Sequence, residues 1–306
     1  MAAEPFDLEQ SWDAAAGSEL VPGCRVQTRL GGGLAYEAYA CFDDRLLVST
    51  VVKIVRPHLT ADPNTLRTLE RETAILGALN HPVIVRGLHA ELGGPRPYLA
   101  MERVPGPRLS TLLRKYGPLS IEQILPLGMQ ISSALHYLHA TQVVHLDIKP
   151  SNIIMDTTPR LIDFSIARST EAAAGLDHLV GTDQYLSPEQ GDPLADHAVG
   201  PASDVWGLGA TLFHATTGRR PFVEEQDTGT TGTTGIAGTD RDASTELPQL
   251  HGVIPTRVPG VPREIEAVIL ECLQWNPAAR PAPAQLFDAF DPWAAKLPKP
   301  RLSHLR

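Results

Sequence analysis

The sequence has little that could tie it together covalently. Among 306 residues there are three cysteines, Cys24, Cys41 and Cys272, too scattered for a disulfide framework or a cysteine-based zinc site. Reduced thiols are the expectation. A surplus of positive charge is also missing: 26 Lys and Arg stand against 35 Asp and Glu, a net charge of −9. Nucleic-acid binders need Lys and Arg to displace counterions from phosphates, so this balance argues against nucleic acid as a partner. No apolar run approaches the roughly 20 residues of a membrane helix, and the acidic opening MAAEPFDLEQ lacks the basic and apolar regions of a signal peptide. A cytoplasmic chain with no membrane span is expected. What the chain does have is 42% hydrophobic residues, ample for a buried core at this length.

Residues 1–20 show no sustained period and read as a loose tail or a weakly docked helix. From Cys24 the short runs CRVQTRL, AYEAYACF and LLVSTVVKIV, separated by GGG and FDDR, fit three antiparallel strands. NTLRTLERETAILGALN then spaces Leu66, Leu69, Ile75, Leu76 and Leu79 at mostly helical intervals behind Asp62, Pro63 and Asn64 as capping residues. Two more strands, VRGLHAEL and RPYLAMERV, lead to the breaker-rich PGPR at 105–108, where a lobe boundary is expected. Beyond it, helical periods dominate in SIEQILPLGMQISSALHYLHA, SDVWGLGATLFHATTG and REIEAVILECLQW. The fold class that follows is α+β, with a small antiparallel β lobe carrying one main helix (21–104) and a larger helical lobe (105–295). A Thr- and Gly-rich stretch, 224–247, reads as a flexible insertion, and 296–306 as a short C-terminal tail.

Several residue groups in this frame suggest chemistry. GGG at 31–33 alone is only a turn, but at a hairpin tip it can lay backbone N–H groups against phosphate oxygens. Lys53 ends an apolar run in the third strand, and Glu72 in the following helix is a candidate partner. VVHLDIKPSN, residues 143–152, crowds His145, Asp147, Lys149 and Asn152 together, and IDFS follows at 162–165.

In this order the residues resemble a eukaryotic-type serine/threonine protein kinase, of the kind also found in bacteria, over roughly residues 24–292. Gly31 and Gly33 match the first two glycines of GxGxxG, Lys53 the third-strand lysine and Glu72 the glutamate of the small-lobe helix. Asp147 matches the catalytic-loop aspartate, Asn152 the metal-binding asparagine and Asp163 the aspartate of Asp-Phe-Gly. GTDQYLSPEQ (181–190) resembles the end of the activation segment, and Asp204 and Arg280 complete the large-lobe signature.

The resemblance implies a two-lobed kinase fold, with ATP and Mg²⁺ (or Mn²⁺) as cofactors and transfer of the γ-phosphoryl group to Ser or Thr of a protein substrate. Lys53 would hold the α- and β-phosphates and Glu72 would hold Lys53; Leu30, Gly31, Gly32 and Gly33 would border the nucleotide. Ala38 and Val51 would lie above the adenine, Ile154 below it and Met101 behind the hinge, whose backbone from Glu102 to Val104 would supply hydrogen bonds. Asp147 would accept or orient the substrate hydroxyl, Lys149 would reach the γ-phosphate, and Asn152 and Asp163 would bind the ion as hard oxygen ligands. Thr182 would contact Asp147 and shape the substrate site, Glu189 would pair with Arg280 as a buried fastening, and Asp204 would cap backbone amides of the catalytic loop.

The chain departs from the family pattern at Tyr36, in place of the third glycine, at Leu146, in place of the arginine before the catalytic aspartate, and at Ser165, in place of the glycine of Asp-Phe-Gly. The missing arginine is the residue that normally pairs with an activation-loop phosphate. Residues 171–181, EAAAGLDHLVG, also contain no Ser, Thr or Tyr. An activation segment ordered without phosphate is therefore expected. Rival readings are a pseudokinase acting as a nucleotide-binding scaffold, against which the retained Lys53, Glu72, Asp147, Asn152 and Asp163 speak, and a small-molecule kinase of the aminoglycoside or choline type, which GTDQYLSPEQ and SDVWGLG disfavour.

Overall fold

The structure, a computed structural model, describes residues 11–193, 197–222, 247–251 and 254–297. The chain divides into two compact units, one running to Pro105 and including Asp163–Ala167, the other built from Gly106–Ile162 and the chain from Arg168 onward.

The first unit is an antiparallel sheet of β1 (Glu19–Val21), β2 (Cys24–Gly32), β3 (Tyr36–Asp43), β4 (Val48–Val55), β5 (Gly87–Glu91) and β6 (Tyr98–Glu102), in the order β1-β2-β3-β4-β6-β5. Helix α1 (Pro63–Ala78) lies between β4 and β5 in sequence and packs against β5 and β6. It starts at Pro63 because Asp62 accepts a hydrogen bond from the Thr65 amide at 2.7 Å.

The side-chain alternation of a strand sorts the sheet into two faces. Tyr39, Cys41, Val52, Ile54, Tyr98 and Ala100 form one buried cluster with Cys24 and Val26. Trp12 and Ala14 pack against that cluster. Trp12 Nε1 donates to Val55 O at 2.8 Å, and the Arg96 guanidinium stacks 4.5 Å from the indole. The expected loose tail thus needs correction for residues 11–20: they dock, and Glu19 and Leu20 begin a strand. The outer face of the sheet is apolar and needs covering, and one tryptophan with short strand β1 does this without any periodicity a sequence window could register.

At the end of β3, Asp43 gathers the hairpin. Its Oδ1 accepts from the Arg45 and Leu46 amides at 2.8 and 3.0 Å, and its Oδ2 lies 2.6 Å from His89 Nε2 and 3.6 Å from Cys24 Sγ. Burial alone would raise this carboxyl's pKa, but the His89 and backbone hydrogen bonds outweigh it and hold the value at about 2. Cys24, Asp43 and His89 come within mutual reach of a metal ion, yet the four donors on Asp43 already account for the cluster as a hydrogen-bond network. All three cysteines are buried and free.

The second unit contains α2 (Leu109–Tyr116), α3 (Ile121–Ala140), β7 (Val143–Val144), β8 (Ile153–Ile154), β9 (Arg160–Leu161), β10 (Arg168–Ser169), α4 (Thr170–Ala174), α5 (Pro188–Gly191), α6 (Pro201–Thr217), α7 (Arg263–Cys272) and α8 (Pro283–Ala294). Helix α3 packs on α6 and α8, and α6 on α7. A Cβ at Gly128 would stand 2.8 Å from the Phe290 ring, so a glycine there permits the α3–α8 approach. From Ser203 to Phe213 every residue of α6 is buried, as expected of a helix hydrophobic on all sides. The ladders β7–β10 and β8–β9 span two residues each, too short to register in the sequence. Residues 223–246, which include nearly all of the expected insertion, lie outside the described residues, as do 298–306 of the expected C-terminal tail. No helix among the described residues is long and apolar enough to cross a membrane.

Candidate active site

In the first unit the polar centre is Lys53. Strand β4 pairs it with Ala38 on β3 and Leu99 on β6, and alternation points it away from the Val52 and Ile54 side. Its Nζ donates to Glu72 Oε2 at 2.7 Å and to Asp163 Oδ1 at 3.1 Å. Burial would lower the lysine pKa, but the Asp163 and Glu72 carboxylates reverse this and hold it above the ordinary lysine range. Lys53 is therefore an ammonium across the physiological pH range.

Helix α1 also positions the Asp163 segment. Glu72, fully buried, accepts the Phe164 amide on Oε1 at 3.2 Å, and Arg71 donates to Ser165 O at 2.8 Å. Asp163 has φ 65° and its side chain is 42% exposed. A non-glycine residue in the left-handed region is strained, and such strain tends to occur at functional sites.

Tyr36 adds a contact that the sequence did not suggest. Its hydroxyl donates to Thr65 O in α1 at 2.9 Å, and its ring lies 4.9 Å below Lys53 Nζ. Burial raises the phenol to about 12. Tyr36 thus ties the glycine turn to α1 and to the lysine.

The glycine run is exposed; Gly31, at φ 140°, and Gly32 are the last residues of β2, paired with Ala38 and Glu37, so the turn itself begins only at Gly33. At Gly32 a Cβ would meet Tyr36 O at 2.7 Å, and Gly33 N donates to Tyr36 O at 2.9 Å. Leu30 beside it is 49% exposed. Ala40, Val51 and Met101 form one cross-strand row, with Ala38, Lys53 and Leu99 the next row along the same face. Glu102 pairs with Thr50, and Val104 follows half-buried beyond β6.

In the second unit the centre is Asp147. Its Oδ1 accepts from Thr182 Oγ1 at 2.8 Å; its Oδ2 accepts from Lys149 Nζ at 2.8 Å and Asn152 Nδ2 at 2.9 Å. Asn152 Nδ2 also donates to Asp147 O at 3.0 Å, and Lys149 Nζ to Thr182 Oγ1. The carboxylate is held from three directions, with Asn152 Oδ1 left as that amide's ligand atom. Ile154 sits on β8, opposite Arg160 and bridged to Arg108.

Asp204 fixes the backbone just ahead of Asp147. Its Oδ2 accepts from the His145 amide at 2.9 Å and its Oδ1 from the Leu146 amide at 2.7 Å. Glu189 and Arg280 form a bidentate pair at 2.6 and 2.8 Å, with side chains 1% and 0% exposed. Burial opposes ionisation of Glu189, but the Arg280 guanidinium outweighs it and lowers the pKa. Sequence reasoning missed Gln190, whose amide contacts both Leu146 and Val180. The signal available for it was the spacing Ser187-Pro-Glu-Gln190, a capping box realised at α5.

An ammonium bridged by two carboxylates in one unit, and an aspartate locked by Lys, Asn and Thr in the other, are the residue sets of a phosphoryl-transfer protein. The protein kinase domain family matches residues 24–293, and the chain belongs to that family. It is 32% identical over 261 residues to the serine/threonine-protein kinase PknB of Mycobacterium leprae, covering 82% of this chain and 39% of that protein. It is likewise 32% identical over 270 residues to the PknB of Mycobacterium tuberculosis, with the same coverage. A third relative, the serine/threonine-protein kinase PknA of Mycobacterium tuberculosis, is 33% identical over 209 residues, 65% of this chain and 48% of that protein. The chain thus spans 39% of the length of the PknB relatives it matches.

Proposed function

We propose that the chain transfers the γ-phosphoryl group of ATP to a serine or threonine of a protein substrate. The observation that carries this reading is the hold on Asp147: Thr182, Lys149 and Asn152 all donate to its carboxylate within 2.9 Å. An aspartate so restrained is a preorganised acceptor for a hydroxyl proton. As the substrate oxygen bonds to the γ-phosphorus, the bond to the β-phosphate oxygen breaks, ADP leaves, and the hydroxyl proton passes to Asp147. Lys149 offers its ammonium to the γ-phosphate, while Lys53, kept charged by Glu72 and Asp163, holds the α- and β-phosphate oxygens. Leu30 and Gly31–Gly33 border the nucleotide, Ala38, Val51, Met101 and Ile154 contact the adenine, and the Glu102–Val104 backbone supplies its hydrogen bonds.

The oxygen donors of Asp163 and Asn152 suit Mg²⁺ or Mn²⁺, hard cations that take carboxylate and amide oxygens. Such an ion neutralises phosphate charge when bound. The activation segment is taken to be ordered without phosphate, since Leu146 is buried where an arginine would receive one. Buried free thiols and the use of ATP support the cytoplasm as the place of work.

The test is a radiolabelled ATP assay on a generic protein substrate, run with Lys53→Met and Asp147→Asn proteins purified alike. Transfer by the wild type and its loss in both variants is expected. Equal incorporation by wild type and Asp147→Asn would overturn the mechanism, and nucleotide binding without transfer in the wild type would establish a scaffold instead.

A further inference from the structure

Leu146 stands where an arginine is expected, and the structure shows what secures the backbone there. Leu146 is 3% exposed, with φ 65°. Its amide is held by Asp204, and its carbonyl oxygen accepts from Gln190 Nε2 at 2.9 Å. The same Nε2 donates its second proton to Val180 O at 3.0 Å. The amide has only one workable orientation. Its Oε1 accepts from Ser187 Oγ at 3.1 Å and Ser187 N at 3.3 Å, so a flip would set oxygen against two carbonyl oxygens and NH₂ against the Ser187 backbone N–H. Gln190 is 2% exposed and Ser187 0%.

The residue after Val180 leaves no room for slack. Gly181 has φ 129°, and a Cβ there would lie 2.5 Å from Leu186 Cδ2, 3.1 Å from Leu146 O and 3.2 Å from Gln190 Nε2. One carboxamide therefore joins the peptide group directly before Asp147 to the one two residues before Thr182. Those are the two residues whose side chains meet at 2.8 Å.

We propose that Gln190 is a positioning residue for phosphoryl transfer, setting the Thr182–Asp147 contact through neutral hydrogen bonds where the family pattern would use an arginine and a phosphate. This rests on the reading of Asp147 as proton acceptor. Neutral bonds in a buried site are insensitive to phosphatase and little screened by salt, so the arrangement is permanent rather than switched.

The experiment combines kinetics with side-chain amide exchange. Gln190→Met removes both donors, and Gln190→Glu keeps the shape but turns a carboxylate oxygen toward two carbonyls. Each is expected to lower kcat by about 10- to 100-fold while the KM for ATP changes less than about two-fold, because misplacing reacting groups by an ångström costs on that order. Combined with Thr182→Ala, the losses should fail to multiply, since both changes break one contact. An unchanged kcat in both Gln190 variants, or fully multiplicative losses, would overturn the positioning role.

A readout free of catalysis is the exchange of the Gln190 carboxamide protons with water in the wild-type protein, followed by NMR. Slow exchange of both protons is expected, and fast exchange overturns the proposed hydrogen bonds even if the Gln190 variants fail to fold. A wild type that transfers no phosphate yet protects this carboxamide would refute the kinase reading, and with it the catalytic consequence, while leaving the link between Leu146 and Val180 established.

Discussion

Replacing Glu189 by glutamine tests how the end of the activation segment is fastened. The pair it forms with Arg280 is bidentate and buried on both sides, so removing one charge leaves the other uncompensated. Breaking such a pair costs about 3–5 kcal/mol. The partners each residue keeps predict an order. In Glu189→Gln, Arg280 retains Gln274 O, Ala202 O and Trp275 O, and the Trp206 face 4.9 Å away. In Arg280→Met, Glu189 retains Ser203 Oγ and its own backbone amide. Arg280→Met should therefore destabilise at the upper end of the range and Glu189→Gln at the lower end. At about 2–4 °C per kcal/mol for a domain of this size, the melting temperature should fall by roughly 6 °C for the milder variant and up to about 20 °C for the harsher one.

The pH dependence has a definite sign. Because the folded pKa of Glu189 lies below its ordinary 4.5, its contribution is present above that value and is lost as pH falls through the lowered one. The wild type and Glu189→Gln should thus converge in stability on acidification below 4.5. Calorimetry at neutral pH and at successively lower values measures both effects. A melting temperature for Glu189→Gln within about 1 °C of wild type would refute the assignment of this pair as a buried fastening, as would a gap that does not narrow in acid.

Other predictions address the site directly. Phosphatase-treated protein should transfer phosphate at its full initial rate with no lag, and the Ser169→Ala, Thr170→Ala double variant should do the same in a time course. A lag that disappears on rephosphorylation would contradict a permanently ordered segment. Thr182→Ala should lower kcat by about 10- to 100-fold whether or not the protein has been treated with phosphatase, because the lost hydroxyl positions Asp147 rather than carrying a phosphate. Tyr36→Phe should cost about 0.5–1.5 kcal/mol through the lost bond to Thr65 O and leave the ring over Lys53. Tyr36→Gly removes both contacts and should raise the KM for ATP more than Tyr36→Phe does, which steady-state kinetics on the pair would check.

Much of the local framework was legible in the residues themselves. Strands β2, β3 and β4 and helix α1 followed from alternation, from the GGG and FDDR turns and from Asp62 before Pro63, because each of these signals acts within a few residues. The closeness of Asp147, Lys149 and Asn152 was likewise a matter of ten residues of chain. Glu72 could be named as a candidate partner of Lys53 from its place in the next helix. The pairings of Thr182 with Asp147 and of Glu189 with Arg280 were reached only through the family resemblance, and the contact of Lys53 with Asp163 was not anticipated at all. These four span 19, 35, 91 and 110 residues, and no pattern in one sequence states which distant charge meets which.

What the sequence by itself determined, then, was the order of the elements and the residue types at the site, since backbone propensity and hydrophobic period are properties of short stretches. Tertiary structure alone decided that Trp12 covers an apolar sheet face, that Asp163–Ala167 belongs to the same compact unit as Lys53 rather than to its chain neighbours, and that Tyr36 reaches α1. It alone decided the partners of Gln190 too. A glutamine can donate to any pair of carbonyls within reach, and only the packing of Leu146 and Val180 around one buried amide selects which two.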